Sequence, residues 1–158
     1  MHSRLIVPLL CASALVFACG PLSRSAEVPP ADVAMADTTL RDLAATLDVA
    51  VRRPEASRDV EFALRVTNAT EKRLELSFPD GQTHEVVILD AAGREVWRWS
   101  HDRMFTSAVQ TKLLGAGETT EYTERWAPPT GSAGSFTVVA SLRSSNNPIE
   151  LRHGFTLP

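Results

Sequence analysis

Ser100, His101 and Asp102 stand in a row and hold the hydroxyl, imidazole and carboxylate of a nucleophilic triad. A triad needs its three side chains to converge on one point. Successive side chains of an extended segment point to opposite sides, so three neighbours do not converge. No Gly-x-Ser-x-Gly elbow or glycine-rich phosphate loop occurs elsewhere in the chain. The carboxylates of Glu85, Asp90, Glu95, Glu118, Glu121 and Glu124 fall mostly on polar faces or turns, where solvation accounts for them, and nothing singles out a glycosidase-like pair. His84, His101 and His153 lie at turns or strand ends without the short spacing of a zinc site, and His2 belongs to an N-terminal leader. These residues imply no enzyme, no metal and no other cofactor. They leave a chain that binds.

Candidates for recognition are fewer. Trp97, Trp99 and Trp126 hold all the tryptophan. Tryptophan is enriched at binding hot spots, but in a small domain it also supplies much of the buried area. Core packing is the expectation for Trp97 and Trp99, which share one face of an alternating segment. Arg98, on the other face, is either surface or the partner of a carboxylate on the adjacent strand. Met104 and Phe105 are apolar yet lie in residues 101–111, which carry no period. They form the candidate partner-binding loop, with the alternative that Phe105 tucks under the edge of the fold. Asn68-Ala69-Thr70 matches a glycosylation acceptor and reads more simply as a turn.

The chain has 158 residues and a net charge of -3, enough for one ordinary domain. Its 16 Lys and Arg are interleaved with 19 Asp and Glu. No clustered basic face of the kind that binds nucleic acid is visible. A short basic start at Arg4 precedes an apolar run over residues 5–17, too short for a membrane span and suited to a signal peptide. The run ends in Val16-Phe17-Ala18-Cys19-Gly20, which resembles the bacterial lipobox, with Cys19 as the lipidated residue. An ordinary secretory signal cut after Ala18 is the alternative. Cysteine usage favours lipid. Cys11 falls within the signal, and Cys19 is then a lone thiol in an oxidising compartment, which lipidation explains without a partner. Two or three acyl chains, at about 0.8 kcal/mol per buried methylene, make a lasting anchor. Gly20 is not the Asp that retains some lipoproteins in an inner membrane. The expectation is an exported, membrane-anchored protein of the cell envelope, facing the periplasm or on an outer membrane if there are two.

Residues 1–18 thus read as signal peptide, 19–45 as a flexible tether rich in Pro, Ser and Ala, and 46–158 as the folded domain. Residues 38–45 read equally as one helical turn or as the tether's end. From residue 47 the apolar period is two. Leu47, Val49 and Val51 alternate with polar or small residues, as do Val60, Phe62, Leu64 and Val66, and then Leu74, Leu76 and Phe78. Pro79-Asp80-Gly81 is a turn in which Gly81 is expected to supply positive φ. Residues 85–89 are apolar on both faces and so central, and Gly93 turns them into residues 95–99. Further strands are expected over 119–126, 136–142 and 149–157, with a bulge at Gly154. About seven or eight short strands, turns every 8–12 residues and no convincing long helix are the signature of an all-β, antiparallel sandwich.

Several stretches together resemble one family. They are Phe62-Ala63-Leu64-Arg65-Val66-Thr67-Asn68, Leu74 to Gln82 with its Gly81 turn, Asp90-Ala91-Ala92-Gly93 followed by Val96-Trp97-Arg98-Trp99-Ser100, Phe105, Gly117-Glu118, and Tyr122 to Trp126. The pattern is similar to the BsuPI-type intracellular proteinase inhibitor domain, and the Trp97-Arg98-Trp99-Ser100 block is its most specific part. The resemblance implies an immunoglobulin-like sandwich, in which these motif residues are structural, and a serine protease as partner. The family's founding type is cytoplasmic, whereas this chain reads as exported. A structural or assembly lipoprotein, binding another envelope protein through a sheet edge or face, is the alternative function.

Overall fold

The computed structural model describes residues 33–40, 42–52 and 59–158. The expected signal peptide, Cys19 and the first part of the expected tether lie outside the described residues.

Ten strands and no helix make up the described chain: β1 Val33–Thr39, β2 Leu43–Arg52, β3 Asp59–Asn68, β4 Leu74–Phe78, β5 His84–Asp90, β6 Glu95–Arg98, β7 Gln110–Leu114, β8 Thr119–Trp126, β9 Gly134–Leu142 and β10 Ile149–Leu157. One four-stranded sheet has the order β1-β2-β3-β8, a second the order β10-β9-β5-β6, and β4 and β7 form a two-stranded ribbon. All pairs are antiparallel. This is the expected all-β sandwich.

The period of two in the sequence is what builds the core. Leu43, Ala45, Leu47, Val49 and Val51 of β2 are all buried, and so are Val60, Phe62, Leu64 and Val66 of β3. They pack against Val86 and Ile88 of β5, Val138, Ala140 and Leu142 of β9, and Leu151, Phe155 and Leu157 of β10. Leu76, Phe78 and Leu114 bring the ribbon into the same cluster. Phe155 stacks on Phe136 at 5.8 Å and meets Trp126 edge-on at 6.3 Å, closing one part of the interior with rings. The outer face of β2-β3-β8 carries cross-strand ion pairs: Glu61 with Arg52 and Arg125 at 2.8 and 3.0 Å, and Arg65 with Asp48 and with Glu121. This is the polar half of the alternation facing water.

Four expectations are corrected. The chain is already a strand over residues 33–39, paired with β2 from Val33↔Ala50 to Thr39↔Ala44, so β1 and the start of β2 are antiparallel strands where a tether or a helical turn was expected. The aperiodic segment ends at Val109, because β7 begins at Gln110. Gly81 has no positive φ, which belongs instead to Gly93, Gly117, Gly131 and Gly134. Gly81 is small because of close approach: a Cβ there would lie 2.7 Å from Thr106 Oγ1. Gly154 makes no bulge, since the β10–β9 register runs unbroken through Gly154↔Thr137.

Candidate functional site

β8 and β6 are edge strands of their sheets, and they meet at one margin of the sandwich, where His84 lies against both Trp99, just past β6, and Tyr122 of β8. Alternation decides what each contributes there. In β8 the residues facing the core are Thr120, Tyr122, Glu124 and Trp126, paired with Val66, Leu64, Phe62 and Val60. On the second sheet, Trp97 pairs with Ile88, so Trp97 and His84 share the core-facing side. The Trp99 amide continues the ladder by donating to the Val86 carbonyl at 2.9 Å.

His84 fills this margin. Its ring lies between Trp99, at 4.1 Å, and Tyr122, at 4.5 Å between centroids, and its Nε2 lies 3.0 Å from Glu124 Oε1. Burial pushes the imidazole pKa below its ordinary value, and the Glu124 carboxylate opposes this in part. Burial likewise raises the Tyr122 phenol. Trp97 and Trp99 are half-buried and pack against the core, while Trp126 is fully buried.

Arg98 turns to the opposite face of the sheet, where it meets a carboxylate that sequence reasoning assigned to solvent. Glu85 is buried. It accepts hydrogen bonds from Gln82 Nε2 at 3.0 Å, the Val86 amide at 3.1 Å, the Ser100 amide at 3.2 Å, Arg98 Nη1 at 3.2 Å and the Ser100 hydroxyl. Arg98 also bonds Glu95, which raises the guanidinium pKa further and lowers that of Glu95. The Trp97-Arg98-Trp99-Ser100 block is thus read twice by the fold. Its tryptophans face the core, and its arginine and serine close on Glu85. The one sequence signal for Glu85 was its place at the start of a strand apolar on both faces.

Asn68 is a second buried polar hub. Its Nδ2 donates to the carbonyls of Lys72, Leu114 and Gly115 at 2.7–3.0 Å, and its Oδ1 accepts from the Thr70 amide and hydroxyl. Asn68-Ala69-Thr70 is therefore the turn that ties β3 to the end of β7. Gly93, at φ 77°, closes the β5–β6 hairpin, where the Asp90 carboxylate accepts from the amides of Ala92 and Arg94.

The segment between β6 and β7 runs over the aromatic margin. Phe105 lies 5.6 Å from Trp99 and is half-buried. Arg103 lies over the Trp99 ring, its guanidinium 4.5 Å from the centroid. Between them, Met104 is 99% exposed. The structure separates the two loop candidates: Phe105 belongs to the body of the fold and Met104 to its surface. The sequence triad does not assemble, since Ser100 is engaged by Glu85 and His101 and Asp102 are exposed. Among the described residues, no group of three His, Cys, Asp or Glu side chains is placed to hold a metal ion.

Comparison with known proteins adds one informative match. No curated protein matches the chain. Among solved structures it is similar to a β-glucosidase from Erythrobacter marinus (16% identity, TM-score 0.36, covering 80% of this chain and 16% of that one). It is also similar to a β-glucosidase from Listeria innocua bound to glucose (12%, 0.35, 78% and 16%). The structural-genomics target SoR45 matches at 12% identity and a TM-score of 0.34, covering 80% of this chain and 85% of that one. The chain spans about a sixth of the glucosidases' length, and likenesses this low bear on no function. The family model "BsuPI: Intracellular proteinase inhibitor" matches residues 46–147, which include the Asn68 turn, the Glu85 hub and the aromatic margin. With that match over more than half of its length, the chain belongs to the BsuPI proteinase inhibitor family.

Proposed function

We propose that this protein is a proteinase inhibitor held at the bacterial cell envelope by a lipid on Cys19, with a protease as its partner. The observation that carries the reading is the family match over residues 46–147. The sandwich supports it with one continuous buried core, because inhibition by binding is favoured by a surface that need not reorganise when a partner docks. The N-terminal apolar run ending at Ala18-Cys19 supports the anchor.

Two measurements test this. The full chain is incubated with serine endopeptidases of different specificity and residual activity is followed. Dose-dependent inhibition without digestion of the chain is expected. Absence of inhibition across the panel would favour an envelope interaction module, to be sought by pull-down from membranes. In parallel, fractionation of bacteria expressing the wild type and Cys19→Ala should find the first in membranes and the second released. Equal release of both would refute the anchor.

A further inference from the structure

We propose that Met104 is the residue this inhibitor places in the specificity pocket of its target, a serine endopeptidase with an apolar pocket, and that Met104–Phe105 is the peptide bond presented to the catalytic serine. The inference rests on the inhibitor reading above.

Met104 is 99% exposed, an unbranched apolar side chain that stabilises nothing in this fold. Its neighbours on both sides are fixed. Before it, Arg103 Nε donates to the Trp99 carbonyl at 3.2 Å, the guanidinium lies 4.5 Å from the Trp99 ring, and Nη2 lies 3.8 Å from Glu124 Oε2. After it, Phe105 packs on Trp99 at 5.6 Å, and the Thr106 carbonyl accepts the Gly81 amide at 2.8 Å. Trp99 is itself held by the Val86 carbonyl and the His84 ring. No turn interrupts residues 103–106. The free side chain is thus offered from a backbone whose order already exists, which removes much of the entropy cost of docking. An uncharged, linear apolar side chain suits an apolar pocket and offers nothing to a pocket that selects a cation.

The same anchors explain why a substrate-like bond would inhibit. The protease serine Oγ adds to the Met104 carbonyl carbon, the C–N bond to Phe105 breaks, and the serine proton passes through the protease histidine to the Phe105 amine. Phe105 and Thr106 stay held by Trp99 and Gly81, so the amine remains beside the acyl-enzyme. It attacks the ester, returns its proton to the serine and restores the bond faster than water can hydrolyse it.

The test titrates the full wild-type chain, Met104→Asp and Met104→Arg against chymotrypsin-type, subtilisin-type and trypsin-type endopeptidases. Tryptophan fluorescence checks that the exposed substitutions leave the fold intact. Inhibition of an apolar-pocket enzyme by the wild type is expected, weakened about 30-fold or more by Met104→Asp and moved to the trypsin type by Met104→Arg. Mass analysis of long incubations should find one cut, between Met104 and Phe105. Equal inhibition by all three chains overturns the assignment of Met104 and leaves the inhibitor reading standing. Rapid cleavage at Met104 without inhibition makes the loop a substrate and overturns the assignment. No inhibition of any enzyme by the wild type overturns both.

Discussion

Glu85 and Arg98 meet on the face of β5 and β6 turned away from the core, with Arg98 Nη1 donating to Glu85 Oε2 at 3.2 Å. The side chains are 7% and 37% exposed, so the carboxylate is the more deeply buried partner. Arg98→Met leaves that carboxylate only the donors of Gln82, Val86 and Ser100. A loss of about 1–3 kcal/mol is expected, the cost of an underpaired buried acceptor. Glu85→Gln in the same chain should recover part of it, because no buried charge then lacks its cation. Urea denaturation of the wild type, both single variants and the double variant measures the coupling. A coupling near zero would assign Arg98's contribution to Glu95 alone.

His84 should make the fold sensitive to mild acid. Burial lowers its pKa in the folded state, opposed by Glu124 and Glu85 and helped by Arg103. As pH falls through the ordinary histidine value of about 6.5, the unfolded chain takes up a proton that the folded chain resists. The unfolded state then binds more protons, so stability falls with falling pH. Denaturation midpoints measured from pH 8 to pH 5 should decline, and His84→Gln should flatten the decline in that window. The lowered carboxylates Glu61, Asp90, Glu95 and Glu121 contribute only further down, near pH 4. An unchanged slope in His84→Gln would rule out this imidazole as the titrating group.

The tryptophans should differ in cost. Trp126 is 3% exposed and meets Phe136 and Phe155 edge-on. Its replacement by Ala should cost about 3–5 kcal/mol, a large share of a typical total of roughly 5–15. Trp97 is only half-buried against the same core. Trp97→Ala should therefore cost less, and the variant should stay folded. Thermal unfolding of the two variants ranks them, and a reversed order would show that Trp97 closes the sheet margin more tightly than its exposure implies.

Legibility of the fold followed the strength of the alternation. β3, with four buried apolar residues on one face, was plain in the sequence, and β4 and β8 begin and end where the pattern put them. β7 was missed because only Leu114 of its five residues is buried, while Val109 and Leu113 beside it are exposed. β1 was missed because it is an edge strand of small and polar residues, with Met35 turned to solvent, and its pairing with β2 is a tertiary fact. The site was legible by type and not by partner. Glu85 carries the same letter as the solvated glutamates, and only the return of the chain at Arg98 and Ser100 makes it a hub. His84 and Glu124 lie forty residues apart, on different sheets, and no spacing rule connects them.

Gly81 connects the body of the fold to the segment that carries Met104. Its amide donates to the Thr106 carbonyl at 2.8 Å, and an added Cβ would stand 2.7 Å from Thr106 Oγ1 and 3.1 Å from the Thr106 amide nitrogen. The first contact can be relieved by the side chain, but the second needs the backbone to move. Gly81→Ala should therefore push residues 103–106 away from the sandwich and cost about 1–3 kcal/mol as an overpacked contact. Removing the hydroxyl as well, in Gly81→Ala/Thr106→Ala, should recover part of the stability. It should recover less of any protease inhibition, because the backbone conflict persists. Thermal unfolding and inhibition titrations on the same preparations separate the two effects. If inhibition is unchanged in Gly81→Ala while stability falls, the position of this segment does not matter to the partner, and docking must use another surface.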